Sequence, residues 1–139
     1  MQIIVPGEFI EPEVNIVYNT YPKDIKDALL KIRHMIFEIA SESEQIGDII
    51  ETLKWDNPSY LTHAPKSGTT IRLSSVRNDA EQYAISVHCQ TNLISGFKIK
   101  YPKLQYDGNR SIILNLKINP PYEAINHFIY LALTYTLHK

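Results

Sequence analysis

Three stretches of this chain, Thr70–Val76, Tyr83–Cys89 and Ser111–Ile118, alternate apolar with mostly polar residues, and their polar sides carry Arg72, Ser74, Ser86, His88, Asn115 and Lys117. Such period-2 runs read as strands with one buried side. On neighbouring strands these residues would bring a guanidinium, an imidazole and an ammonium onto one face. Trp55 and Tyr60, within Trp55-Asp56-Asn57-Pro58-Ser59-Tyr60, lie where a helical half meets a strand-rich half. A cationic groove with aromatic edges suits a carboxylate or a phosphate, because arginine offers a planar fork of donors and aromatic rings supply stacking area. The plainer explanation is that antiparallel sheets wet one face with these same residue types. Arg110, beside Asp107-Gly108-Asn109, either joins the groove or caps a hairpin. Trp55 and Tyr60 also have two uses. Pro58 presets them for a ligand, or the tryptophan plugs the gap between a helix and the sheet, and packing is the more ordinary of the two.

Other chemistries have weaker signatures. His88 is a candidate general base, but no nucleophile or orienting carboxylate accompanies it in the sequence. Adjacent strand residues point to opposite faces, so Cys89 is expected to turn away from His88 into the core as an inert thiol. The five histidines show no metal-ligand spacing. Glu38 with Glu42, and Glu44 with Asp48 and Glu51, recur at helical spacing; oxygen ligands of this kind hold a hard cation or ferrous iron weakly, although such clusters are more often a solvated face. No phosphate-binding glycine loop, nucleophile elbow or dinucleotide fingerprint occurs.

A chain of 139 residues reads as one domain. With 14 Lys+Arg against 15 Asp+Glu, it has no general attraction for nucleic acid or anionic lipid, so neither is an expected partner. One cysteine excludes an intrachain disulfide and a multi-cysteine zinc site. The first residues lack the basic flank and apolar run of a signal peptide, and the expectation is a soluble cytoplasmic protein.

The elements that must position these residues follow from periodicity. Residues 1–21, with Pro6, Gly7 and Pro12, read as an extended arm whose short apolar pieces, Ile3-Ile4-Val5 and Val14–Tyr18, have room for one strand. Ile25, Ala28, Leu29, Ile32, Met35, Ile36 and Ile39 mark one face of a long helix after Pro22. Asp48–Lys54 reads as a shorter second helix. Thr91–Tyr101 suggests a helix between strands, and Pro120-Pro121 launches a last, mostly apolar helix from Tyr122 to about Leu137. Asn78-Asp79 and Asp107-Gly108-Asn109 read as turns. The expected fold is α+β, a mainly antiparallel sheet with helices on one side and the other partly open.

Four separated pieces, Trp55-Asp56-Asn57-Pro58-Ser59-Tyr60, Gly68-Thr69-Thr70-Ile71-Arg72-Leu73, Tyr83–Thr91 and Gly108-Asn109-Arg110, resemble in order the YdhG-like domain of unknown function. The likeness spans roughly Tyr21 to His138, dividing the chain into an arm (1–21) and a YdhG-like domain (22–139). It implies a small bacterial α+β domain, some of whose relatives are described as frataxin-like iron chaperones that bind ferrous iron through surface acidic side chains. That ligand set does not map onto this chain residue by residue.

The function expected first is non-catalytic binding of a small anionic ligand or a protein partner, through Trp55, Tyr60, Arg72, His88 and Arg110. Ferrous iron handling, with Glu38, Glu42, Glu44 and Asp48 as the acidic residues, is the alternative. An enzyme using His88 ranks last. The amino-terminal arm and nine tyrosines make a homodimer a further expectation.

Overall fold

Pro12 opens helix α1 (Pro12–Asn19), in the first turn, where a missing N–H costs nothing. Val14 and Tyr18, four residues apart and so on one helix face, are its buried residues. The expected extended arm and strand are therefore corrected over these residues, which form a helix packed on the sheet. In the computed structural model, Phe9 and residues 11–138 are described. The apolar piece Ile3-Ile4-Val5 lies outside them.

Helix α2 (Lys23–Ser41) follows the periodicity, burying Ile25, Leu29, Ile32, Ile36, Phe37 and Ile39 along one stripe. Next comes β1 (Asp48–Lys54), where a helix was expected. Ile49 and Leu53 turn towards the helices, and between them so does Glu51, a charged residue at an inward position. That carboxylate masks the period-2 pattern and leaves an apolar spacing that imitates a helix.

Strand β2 (Asn57–His63) pairs with β1 as a hairpin, and Pro58 stands opposite Leu53. Proline has no N–H to give to the next strand, and pairing on that side covers Ser59 and Tyr60 alone. There follow β3 (Ile71–Ser75), β4 (Gln82–Ser86), α3 (Leu93–Lys100), β5 (Gln105–Asp107), β6 (Ser111–Asn115) and α4 (Tyr122–Leu133). A short 3-10 turn, Tyr135–His138, comes last. The strands form one six-stranded antiparallel sheet in the order β1-β2-β3-β4-β6-β5.

Helices α1, α2 and α4 cover one face of the sheet, and the fold is a single-domain α+β. The core lies between these layers, built from Leu29, Ile32, Ile36, Ile71, Leu73, Ile85, Phe128 and Ile129 among others. Gly68, in the β2–β3 connection, lies so close to α4 that a Cβ there would run into the Ala132 carbonyl.

One polar network runs through this core. Arg33 of α2 forks onto Glu51, with Nε on Oε2 and Nη2 on Oε1 at 3.0 Å. The Tyr60 hydroxyl donates to Glu51 Oε2 at 2.8 Å, and the Tyr18 and Tyr60 hydroxyls share a hydrogen bond of 2.6 Å. The guanidinium carbon sits 4.2 Å from the Phe9 ring centre and 5.1 Å from that of Phe37. Burial works against the charge on Arg33, but Glu51 outweighs it and the guanidinium is held charged more firmly than usual. Burial pushes the hydroxyls of Tyr18 and Tyr60 well up, with Glu51 adding to the shift in each.

Candidate functional site

The uncovered face of the sheet is polar along one continuous row. Thr52, Ser59, Arg72, Ser86, Ser111 and Asp107 stand directly opposite one another across all six strands. Arg72 is the one cationic residue in it, half-buried between Ser59, which is buried, and Ser86, which is half-buried. The Ser59 hydroxyl is engaged, donating to the Asn57 carbonyl at 2.8 Å. Ser86 and Ser111 share a hydrogen bond of 2.7 Å between their hydroxyls.

Three connections flank this row: the register puts the β1–β2 turn off one side of it, and the exit of β4 and the β5–β6 turn off the other. The β1–β2 connection is a two-residue turn in which Trp55 (φ 54°) and Asp56 (φ 61°) are both left-handed. Two such residues make the hairpin turn whose twist matches the flanking strands. An aromatic side chain pays steric strain in this conformation. Trp55 gains no burial in return, since 84% of its surface is exposed.

The second connection leaves β4. Strand alternation stops at Ser86, and a turn in which Thr91 N–H donates to the His88 carbonyl at 3.1 Å carries the chain away. His88 Nδ1 accepts the Gln90 backbone N–H at 3.1 Å. A neutral imidazole there carries its proton on Nε2, which becomes a donor. The third connection is the β5–β6 turn, with Gly108 at φ 55°. Val87 N–H donates to the Arg110 carbonyl at 2.8 Å, fastening this turn to the exit of β4.

These pieces enclose an open groove of about 500 Å³ lined by Trp55, Asn57, Arg72, Ser86, His88, Cys89 and Arg110. No acidic side chain lines it among the described residues; Asp56 and Asp107 lie nearby but outside the lining. Neither Arg72 nor Arg110 is paired with a carboxylate among the described residues. The groove offers two guanidiniums, an imidazole, an amide and a hydroxyl to an anion, with an exposed indole at its edge.

Trp55, Arg72, His88 and Arg110 line one groove, but Tyr60 does not join them. It is buried against Glu51 and Tyr18 on the helix-covered face, because odd-numbered Asn57 and Ser59 take the outward positions of β2. The expectation that Trp55 packs between helix and sheet is overturned by its exposure. Cys89 is exposed in the groove, not turned into the core, because the chain has left strand geometry before reaching it. Lys117 also sits beyond the end of its strand, paired with Glu81 at 3.2 Å and away from the groove. Asn57 lines the groove without a motif to mark it; the one signal for it in the sequence is the alternation of Pro58, Tyr60 and Thr62 against Asn57, Ser59 and Leu61.

Glu38, Glu42, Glu44 and Asp48 are exposed along the end of α2 and the start of β1, with Glu38 3.2 Å from His34. Among the described residues, no three His, Cys, Asp or Glu side chains gather in a way that could hold a metal ion. No helix among them is long and apolar enough to cross a membrane. No family model, curated protein or solved structure matches this chain.

Proposed function

We propose that this protein is a non-catalytic binding domain that holds a small anion in the groove between Trp55 and Arg110. The observation that carries this is the pair of guanidiniums, Arg72 and Arg110, which line one groove without a carboxylate to neutralise them among the described residues. Holding two like charges together is unfavourable without a counter-charge, and an arriving anion supplies it. The exposed, strained Trp55 lends further support, since its position serves neither core packing nor backbone comfort.

The YdhG-like resemblance fits the same surface. All seven lining residues fall within the four stretches that carry the likeness. Ferrous iron handling rests on that resemblance alone. Anaerobic calorimetry with Fe(II) tests it: micromolar binding that is lost when Glu38, Glu42, Glu44 and Asp48 are made neutral supports it, and no heat removes it. An enzymatic use of His88 lacks an orienting carboxylate among the residues that line the groove.

The test of the anion groove is titration of Trp55 fluorescence and of binding heat with inorganic phosphate and a panel of anionic metabolites. Saturable binding that Arg72→Ala and Arg110→Ala each weaken supports the assignment. Silence across the panel retires it.

A further inference from the structure

We infer that the groove takes a phosphomonoester of a molecule that bears a planar ring, in preference to a carboxylate or to a phosphate without a planar ring. This rests on the anion-binding assignment above and narrows it to a ligand class.

Charge balance is the first argument. Two arginines present two positive charges to one space, and a phosphomonoester carries about −1.5 to −2 at neutral pH, whereas a carboxylate carries one negative charge. A monocarboxylate would leave one guanidinium without a counter-charge. Geometry agrees, because Arg72 is on β3 and Arg110 directly precedes β6, with β4 between them. Two strand spacings amount to roughly 10 Å. That gap is within the combined reach of two long side chains, and Ser86 lies between them with its hydroxyl on the same face.

Shape is the second argument. Trp55 is on the β1–β2 turn, on the far side of Arg72 from Arg110, so the groove runs across the row from a cationic end to an aromatic end. A volume of about 500 Å³ exceeds what a bare phosphate fills and lies within the ordinary range for organic ligands. An indole presented in this way offers a face on which a ring can stack, worth roughly a five- to hundredfold gain in affinity. Asn57, beside the indole, adds an amide that can donate and accept.

The experiment is calorimetry on the full chain with phenyl phosphate, adenosine monophosphate, ribose 5-phosphate and benzoate. The expected result is that one or both ring-bearing phosphates bind at least about tenfold more tightly than ribose 5-phosphate and than benzoate. Whichever of the two is tighter identifies a nucleotide or a simple aryl phosphate as the source of that chemistry. In Trp55→Asn, whose new residue tolerates the left-handed turn, the ring preference should vanish while ribose 5-phosphate binds as before. Benzoate matching phenyl phosphate, or ribose 5-phosphate matching both ring-bearing ligands, overturns the inference but leaves an anion groove in place. If no anion binds, or if binding is indifferent to Arg72→Ala and Arg110→Ala, the underlying assignment fails with it.

Discussion

Arg33 grips Glu51 with two nitrogens inside the core, and this pair decides which face of the β1–β2 hairpin is turned inward. With Glu51 and its cross-strand neighbour Tyr60 pointing at the helices, Asn57 and Ser59 must point the other way. The exposed turn carries Trp55, which lines the same groove as Arg72. A polar contact in the core thus sets the position of a candidate binding residue on the opposite face.

Breaking that pair should be costly. Glu51→Ala takes from the buried guanidinium the carboxylate it forks onto, and removing one partner of a buried pair costs about 3–5 kcal/mol. Urea denaturation should report a drop of that size for Glu51→Ala, and a double replacement, Arg33→Met with Glu51→Leu, should recover much of it. A single-variant loss under about 0.5 kcal/mol would show that the network is not sealed from water.

Alkaline pH should weaken the fold. Burial raises the proton affinity of Tyr18, Tyr60 and Tyr21, the last of which is pushed up to about 12. The unfolded phenols ionise from about pH 10 while the folded ones stay neutral. Their contribution to stability is therefore complete below pH 10 and declines as the pH rises from there towards 12 and beyond. Denaturation midpoints across that interval, with tyrosinate absorbance as the second readout, check the sign. Stability that is flat to pH 12 contradicts it.

Removing the central cation of the groove should leave the fold intact. Arg72 is half-buried and makes no ion pair among the described residues, so Arg72→Ala should change the thermal midpoint little. Affinity for a bound anion should fall by roughly ten- to a hundredfold, the usual worth of a charge-assisted hydrogen bond. Arg72→Lys should restore only part of this, because an ammonium lacks the planar fork. Full recovery by lysine would mean that charge alone is recognised.

The indole of Trp55 should behave as solvent-exposed. Its emission in the native protein should lie close to that of the unfolded chain, and acrylamide should quench both to a similar extent. A blue-shifted, protected native emission would place the side chain in packing. In the same turn, Asp56→Gly relieves a left-handed residue at φ 61° and should stabilise the hairpin by about 0.5–1 kcal/mol in thermal melts.

Local pattern was enough for the long helix α2 and for strands β3, β4 and β6, whose apolar residues follow the helical or strand period, and for α4, a mostly apolar run launched by Pro120-Pro121. It was also enough to put Arg72 and Ser86 on one face, since parity along a strand is a local property. Local pattern misled at α1, where Val14 and Tyr18 are one helical turn apart in a segment too short to display its period. It misled again at β1, where Glu51 occupies an inward position that only a partner on another element makes tolerable.

What the chain alone determined was therefore the periodic elements, the α+β class and the candidate residues Trp55, Arg72, His88 and Arg110. Tertiary structure decided the rest: that Tyr60 belongs to the buried network, that Cys89 reaches the surface, and that Asn57 enters the groove. Each of those outcomes depends on contacts between residues distant in sequence. Periodicity reports which way a side chain points from its own backbone, but it cannot reveal the guanidinium or the turn waiting on a neighbouring element.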